Sequence, residues 1–129
     1  MTPSSRDDLA AAWWRSLADG RLTVQTCAGC GTRQHPPRAA CARCRRAGDL
    51  GWSACDGRGV VVSATRVHTT TYPAFTGRLP FWVVLVRLGP DAHLLANLLD
   101  DTESVPTGAA ARVVVTGDHR PAVVLEEPS

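Results

Sequence analysis

Four cysteines in the first half of the chain have the spacing of a metal site. Cys27 and Cys30 form one Cys-x-x-Cys pair, and Cys41 and Cys44 form a second pair after ten intervening residues. Each pair places two thiols on one tight turn, and two pairs supply the four sulfur ligands that tetrahedral zinc prefers. Four protein ligands leave no coordination position for water or substrate. Such a metal therefore holds structure and performs no chemistry.

Redox-active disulfides and an iron site are two other interpretations of the same cysteines. A thioredoxin-like Cys-x-x-Cys motif needs a βαβ context, which the pattern of this chain does not provide. Four thiolates also bind iron, so the residues favour structural zinc and leave iron open. Cys55 stands apart from both pairs, and its type and position favour a small buried hydrophobic residue over a catalytic thiol.

The remaining ionisable residues do not suit catalysis by the chain alone. The histidines are scattered at positions 35, 68, 93 and 119, and no serine, histidine and aspartate follow one another around a nucleophile elbow. The carboxylates form no pair with the spacing of an acid–base site. His35 lies between the cysteine pairs, but the four thiolates already complete the metal site. We therefore expect no enzymatic activity from the chain by itself.

The charge of the chain is unevenly distributed. Its net charge of +2 rests on arginines alone, since the sequence contains no lysine. The stretch 21–48 holds six arginines and no acid, whereas the stretch 91–129 holds seven acids and two arginines. A zinc ion with four thiolates carries a charge of about −2, so part of the arginine charge balances the metal site. The rest is free to face phosphates, an acidic protein surface or solvent.

Length and composition are those of one small globular unit. The chain has 129 residues, of which 44% are hydrophobic and 20% charged. No apolar run reaches the roughly 20 residues that span a bilayer. The N-terminus lacks the basic start and apolar core of a secretory signal. With four cysteines assigned to a metal, we expect a reducing, cytoplasmic location and no membrane association.

The N-terminal segment is predicted to form an amphipathic helix over residues 6–20. Leu9, Trp13, Trp14 and Leu17 recur at helical spacing, and Asp19-Gly20 ends the helix. Two adjacent tryptophans are more apolar surface than a solvated helix of this length needs. The core of the chain or a partner protein would satisfy them, and we assign both to a partner interface.

The rest of the chain is predicted to be mainly β. After the helix (1–20) we expect a zinc ribbon (21–56) and a barrel (57–129). β-branched and aromatic residues predict five barrel strands, near 60–71, 81–88, 92–99, 111–116 and 122–126. Five strands with short connections suit a small closed barrel of the OB type. They are too few for a sandwich, and no βαβ unit is present.

These motifs, taken in order, resemble a family in which a rubredoxin-like zinc ribbon precedes an OB-fold and which accompanies thiolase-like acyl-CoA enzymes. The resemblance covers nearly the whole chain, and the order of Cys-Gly, Pro-Pro-Arg, Gly-x-Gly and Pro-x-Phe makes it specific. Ala42 replaces a proline common in the family and Cys55-Asp56 replaces a serine, but neither change removes a metal ligand. The matching residues are Trp13-Trp14, Asp19-Gly-Arg-Leu22, Gln25-Thr-Cys27-Ala-Gly-Cys30-Gly31, Pro36-Pro37-Arg38, Cys41-Ala-Arg-Cys44, Trp52, Gly57-Arg-Gly59, Ser63-Ala-Thr65, Pro73-Ala-Phe75, Pro80-Phe81 and Asn97-Leu98.

The resemblance implies a non-catalytic accessory subunit that binds a thiolase-fold partner and helps form its acyl-CoA site. The partner would act on coenzyme A thioesters as an aldolase or acyltransferase, and steroid side-chain degradation is one option. Arg66, His68 and Arg78 are then expected to meet the phosphates of CoA. Aromatic residues dominate interface hot spots. The predicted partner interface accordingly comprises Trp13, Trp14, Tyr72, Phe75, Phe81 and Trp82.

Binding of single-stranded nucleic acid is the alternative function. OB barrels and zinc ribbons both perform it, and the arginine-rich ribbon favours it. It also requires aromatic platforms along a basic groove. The barrel aromatics instead cluster around one proline-rich loop, and the acidic second half of the barrel repels a phosphate chain. We therefore rank this function below that of an accessory subunit.

Overall fold

A computed structural model describes residues 6–71, 77 and 79–126 of the chain. One helix precedes a series of strands, and the mainly β class predicted from the sequence is confirmed. The elements are α1 (Arg6–Ala18), β1 (Thr23–Cys27), β2 (Arg33–His35), β3 (Leu50–Ala54), β4 (Arg58–Val67), β5 (Phe81–Gly89), β6 (Asp91–Leu98), β7 (Ala110–Val115) and β8 (Pro121–Leu125).

The last five of these strands close into the predicted barrel. Antiparallel pairs join β4 to β5, β5 to β6, β4 to β7 and β7 to β8. The ring is closed by a parallel pair between β6 and β8, in which Asn97 lies opposite Ala122 and Leu98 opposite Val123. Closure joins the two outer strands of a five-stranded sheet, and this is how an OB-type barrel covers its edges.

The first three strands form the ribbon sheet, which continues directly into the barrel. In this sheet β1 lies between β3 and β2, and both pairs are antiparallel. A parallel pair then joins β2 to the first residues of β6, with Gln34 opposite Asp91 and His35 opposite Ala92. Backbone hydrogen bonds thus connect ribbon and barrel, and β6 is paired with β2, β5 and β8.

Helix α1 packs on the core that the ribbon and the barrel share. Trp13 and Leu17 join one buried cluster with Leu22 and with barrel residues such as Val84 and Val86. The indole N–H of Trp13 donates a hydrogen bond of 3.0 Å to the carbonyl oxygen of Thr23 on β1. The helix therefore stabilises the joint between the two parts of the chain.

The assignment of Trp13 to a partner interface is wrong. Its exposed fraction is 6%, whereas that of Trp14 is 49%. Adjacent side chains on a helix point about 100° apart, so only one of the two can face the core. The sequence pattern could not tell which of them is buried, and only Trp14 remains available to a partner.

The glycines of the Gly-x-Gly motif lie where β4 begins and come very close to neighbouring strands. Gly57 has a φ of +80°, and a Cβ atom there would collide with the carbonyl oxygen of Val113. A Cβ atom on Gly59 would collide with the carbonyl oxygen of Arg87 on β5. The two glycines thus let the backbone at the start of β4 pass in direct contact with the backbones of β5 and β7. This is why β4 starts at Arg58, ahead of the predicted start at residue 60.

We expect the substitution Gly57→Ala to destabilise the barrel strongly. The left-handed backbone costs a non-glycine residue about 1–2 kcal/mol, and forcing a methyl group against Val113 adds about 1–3 kcal/mol. The loss is measured as the free energy of unfolding in urea. Gly117→Ala is the matched control, because a Cβ atom at Gly117 has no heavy atom within 4 Å among the described residues. Equal free energies of unfolding for Gly57→Ala and Gly117→Ala would contradict the close backbone contact that we assign to Gly57.

Candidate functional site

The four predicted metal ligands come together at one end of the ribbon sheet. Their sulfur atoms all lie within 4.8 Å of one another. The Sγ atoms of Cys27 and Cys44 are 3.6 Å apart, as are those of Cys30 and Cys41. Cys27 and Cys41 are buried, while Cys30 and Cys44 lie at the surface. The set has the size and composition of a closed four-sulfur site.

Two turns with the same hydrogen bonding, which we call the first and second knuckles, present the cysteine pairs. In the first knuckle the N–H of Gly31 donates to the carbonyl oxygen of Cys27 at 2.7 Å. In the second knuckle the N–H of Arg45 donates to the carbonyl oxygen of Cys41 at 3.0 Å. Gly31 and Arg45 both have a positive φ, of 78° and 66°. Each pair therefore reaches the site on an equivalent left-handed turn, which holds both of its sulfur atoms inward.

The local electrostatics of the cysteine cluster favour a bound cation. The backbone N–H of Cys44 lowers the pKa of the Cys41 thiol to about 6, although burial opposes this shift. The backbone N–H of Arg46 acts to lower the pKa of Cys44, but burial and the neighbouring thiols outweigh it and raise that pKa to about 11. Thiolates packed this closely repel one another without a bound metal. A dication removes that repulsion and fits the donor set.

Two residues of the site were missed by the sequence analysis. Gln25 and Gln34 are 3% and 1% exposed and bridge the two knuckles through their side-chain amides. They are the only glutamines of the chain, and each precedes a cysteine of the site on or beside a ribbon strand. The available signal was a glutamine in each of two short strands. If its side chain faces inward, a buried amide must find hydrogen-bond partners.

His35 lies outside the cysteine cluster and packs against the helix. Its ring centroid is 4.8 Å from that of Trp13. The Nδ1 atom is buried and has no hydrogen-bond partner among the residues that the structure describes. Burial lowers the pKa of His35 from 6.5 to about 4, since the charged form would lose its hydration. The imidazole is therefore neutral in the folded protein at neutral pH.

The neutral His35 gives a pH dependence with a definite sign. The folded pKa of about 4 lies below the unfolded value of 6.5, so the unfolded chain takes up a proton first as the pH falls. The stability from His35 is present above about pH 6.5 and is lost towards pH 4. Between about pH 7 and pH 5, we expect the free energy of unfolding to fall by about 2 kcal/mol more in the native protein than in His35→Phe.

Urea denaturation of both proteins at the two pH values measures this difference. Proton competition for the metal thiolates is common to both proteins and cancels in the comparison. Equal pH dependence of the native protein and His35→Phe would show that His35 titrates normally in the fold.

Three of the predicted contact residues, Tyr72, Phe75 and Arg78, lie outside the described residues. Phe81 and Trp82, at the start of β5, are half-buried. Trp82 packs against the core cluster, and its indole N–H donates to the carbonyl oxygen of Thr102 at 3.0 Å. Trp82 is thus held by the fold with its ring towards the core, and its role in the partner interface stays a prediction.

Arg66 is also engaged within the chain. Its guanidinium lies 5.7 Å from the ring centroid of Trp82 and forms an ion pair of 3.1 Å with Glu103. Arg66 and Trp82 line a cavity of about 190 Å³ whose wall includes Asp100 and Asp101. His68 follows the end of β4 and is exposed. The charge around Arg66 is therefore mixed, with three acids beside one arginine.

An exposed apolar surface lies between the helix and the barrel. Trp14 is 49% exposed and Leu95 on β6 is 62% exposed. They share a groove of about 430 Å³ with Arg120 and Pro121. We call this groove, lined by Trp14, Leu95, Ala96, Asn97, Arg120 and Pro121, the α1–β6 surface. Exposed large apolar groups next to an arginine are typical of protein interfaces.

Comparison with known families accounts for both parts of the fold. Residues 14–51 match the family described as ChsH2, rubredoxin-like zinc ribbon domain. Residues 52–116 match the family described as ChsH2, C-terminal OB-fold domain. The chain belongs to the ChsH2 (DUF35) family. The predictions of a zinc ribbon, an OB-fold and their order are confirmed.

Relatives of known sequence differ widely in length. A protein of Thermomonospora curvata named probable enoyl-CoA hydratase alpha subunit is 35% identical over 91 residues, which are 69% of this chain and 27% of that protein. A DUF35 domain-containing scaffold protein of Methanothermobacter thermautotrophicus is 30% identical over 103 residues, or 78% of this chain and 77% of that protein. The ChsH2-type chain thus spans about a quarter of the first relative and most of the second.

Two solved structures share the fold of the chain. One, described as an Ltp2-ChsH2(DUF35) aldolase, superposes with a TM-score of 0.76 and 25% identity, over 97% of this chain and 96% of that chain. A DUF35 protein of unknown function from Sulfolobus solfataricus gives a TM-score of 0.59 at 18% identity, over 92% of this chain and 85% of that chain. The second likeness concerns the fold alone.

Family and geometry together identify the metal. The matched ribbon is a zinc ribbon, and four cysteine sulfurs cluster within its residue range, so the predicted structural zinc is confirmed. Cys27, Cys30, Cys41 and Cys44 are the residues that would hold the ion. Among the described residues, no helix has the length and apolar character needed to cross a membrane.

Proposed function

We propose that this chain is a non-catalytic subunit that binds a thiolase-fold enzyme and helps to form its acyl-CoA site. The observation that carries the proposal is the likeness to the Ltp2-ChsH2(DUF35) aldolase, which extends over 97% of this chain. A likeness of this extent includes the helix, the ribbon and the barrel in one arrangement. The reaction we propose for the complex is carbon–carbon cleavage or acyl transfer on a CoA thioester, with steroid side chains among the substrates.

The chemistry of the chain supports a role without catalysis. Within the described residues, the four cysteines are the only group of three or more histidine, cysteine or acidic side chains placed to hold a metal. A closed four-sulfur site cannot bind or activate substrate. The catalytic groups of the complex would therefore come from the partner, in the cytoplasm where CoA thioesters are processed.

We propose the α1–β6 surface as the main contact with the partner. It presents Trp14 and Leu95 beside Arg120, which matches the enrichment of tryptophan and arginine in interface hot spots. Tyr72, Phe75 and Phe81 remain proposed secondary contacts.

We place any CoA contact of this chain at Arg66 and His68, at the end of β4, and keep Arg78 as a further proposed phosphate contact. Arg66 would have to exchange its ion pair with Glu103 for a phosphate. The side chain of Glu103 is 90% exposed. Such surface ion pairs contribute at most about 1 kcal/mol to stability, so replacing Glu103 by a phosphate has a small free-energy cost.

Affinity capture of the tagged protein from its native lysate tests the proposal. Recovery of a thiolase-fold protein in near-equal amount is the expected result. Recovery of nucleic acid that salt removes, without such a protein, would instead favour the nucleic-acid alternative. That alternative lacks support on the described barrel strands, whose exposed large apolar side chains are Val60, Val62 and Leu95, because bases stack on aromatic rings.

Matched tryptophan variants locate the contact. Trp14→Ala is expected to weaken capture of the partner at least about tenfold, the usual cost of a lost hot-spot anchor. Trp52→Ala removes an equally large side chain, 37% exposed, from β3 of the ribbon and should leave capture unchanged. The subunit proposal itself fails if the isolated partner enzyme keeps full activity and full CoA affinity without this chain.

A further inference from the structure

Gln25 and Gln34 form a buried amide pair between the two cysteine knuckles. They lie opposite each other on β1 and β2, and Nε2 of Gln34 donates to Oε1 of Gln25 at 2.6 Å. Burial of an amide is unfavourable unless each of its donors and acceptors finds a partner. The pair therefore needs further partners nearby, and its other four hydrogen bonds all run to one segment.

That segment is the loop that leads from β2 to the second knuckle. Oε1 of Gln25 accepts from the N–H of Arg38 at 2.8 Å, and Nε2 of Gln25 donates to the carbonyl oxygen of Arg38 at 3.0 Å. Oε1 of Gln34 accepts from the N–H of Ala42 at 2.8 Å, and Nε2 of Gln34 donates to the carbonyl oxygen of Ala40 at 3.3 Å. The two amides thus bind the backbone on both sides of Cys41.

The loop has little other regular hydrogen bonding to fix it. Residues 36–41 belong to no helix or strand, and Pro36 and Pro37 have no N–H to donate. Cys41 is the buried ligand of this knuckle, and its Sγ lies 3.6 Å from that of Cys30. The position of Cys41 relative to the first knuckle therefore depends on the amide pair.

We infer that the Gln25–Gln34 pair positions the second knuckle for zinc, and that it links the metal site to the barrel. The link arises because β2, which carries Gln34, is paired with β6 of the barrel at Asp91. A strand held by the barrel thereby holds the loop that presents Cys41. The pair pre-organises the cysteines, so that the ion is bound without a further ordering of the loop. Gln25 and Gln34 are positioning residues and do not touch the metal.

The rate of zinc release from the intact holoprotein tests this inference. Gln34→Met keeps the length of the side chain and removes the amide. Release to a chromogenic chelator is expected to become roughly 10- to 100-fold faster, the usual effect of losing a group that orients a metal ligand. Ser53→Ala is the matched control, since the hydroxyl of Ser53 contacts Thr26 between β1 and β3 in the same sheet, away from the loop. Its release rate should stay within about twofold of the native rate.

Two further measurements separate positioning from general stabilisation. Gln34→Glu keeps the acceptor for the N–H of Ala42 but loses the donors to Gln25 and Ala40 and sets a carboxylate oxygen against their oxygens, so its release rate should also exceed the native rate. The ligand-field spectrum of the cobalt-substituted protein should change in Gln34→Met and remain native in Ser53→Ala. The variants Gln25→Met and Gln34→Met should be non-additive in release rate, because the two amides act as a unit.

The inference is overturned if folded Gln34→Met releases zinc at the native rate with a native cobalt spectrum. Should Gln34→Met fail to fold, Gln25→Met and Gln34→Glu are judged by the same two measurements. Native behaviour of either folded variant then overturns the inference.

Discussion

Replacing Cys27 or Cys41 with serine is expected to abolish zinc binding and unfold the ribbon. These are the two buried ligands, and the loss of either one leaves three sulfurs to hold the ion. Structural zinc contributes about 10–16 kcal/mol in zinc-finger peptides near pH 7. That is as large as the whole stability of a typical domain, about 5–15 kcal/mol. Without the metal, the sheet of three short strands has too small a core to remain folded.

Metal analysis and near-ultraviolet circular dichroism of the purified variants measure this effect. The native protein should carry one zinc per chain, and the serine variants none. Cys55→Ser is the matched control, because Cys55 is half-buried and lies outside the cluster. It should keep both the metal and the native spectrum. A folded, zinc-loaded Cys27→Ser protein would show that the ligands are assigned wrongly.

Replacing Trp13 with alanine is expected to cost about 3–5 kcal/mol of unfolding free energy, as for other large buried aromatic residues. The substitution empties part of the core between helix, ribbon and barrel. It also leaves the carbonyl oxygen of Thr23 without its indole donor. Since the helix depends on this packing for its stability, α1 should detach from the sheet.

The neighbouring tryptophan supplies the control for this prediction. Trp14→Ala changes the next residue of the same helix, but there the side chain is 49% exposed. Its ring centroid lies 5.0 Å from that of Trp13 in an edge-to-face contact, so the substitution should cost about 0.5–1.5 kcal/mol. Urea denaturation should still separate the two variants, whereas partner capture should be weakened by Trp14→Ala in spite of its smaller effect on stability. Equal destabilisation by both substitutions would contradict the burial of Trp13 alone.

Local patterns in the sequence were sufficient for much of the fold. The cysteine spacing predicted the four-sulfur cluster, because two thiols on one turn must point to the same place. β-branched runs and turn residues predicted the five barrel strands, with ends displaced by a few residues. These features depend on neighbours in the chain, and so they can be inferred without the tertiary structure.

Features that depend on distant segments could not be predicted in the same way. The pattern of α1 did not show which tryptophan faces inward, since that depends on where the ribbon lies. Trp82 has the composition of an interface anchor, but the carbonyl oxygen of Thr102 binds its indole N–H across the barrel end. The partners of Gln25 and Gln34 lie on a loop whose path follows from the metal site. Long-range contacts decided each of these cases.

The three-way pairing of β6 has a consequence for how this chain can be divided. A cut between ribbon and barrel would strip the start of β6 of its bonds to β2 and leave two unprotected strand edges. Bare edges of this kind recruit other strands and aggregate. We therefore expect the ribbon alone and the barrel alone to fold poorly when they are expressed separately. A longer polypeptide that contains this architecture is expected to contain the ribbon and the barrel together.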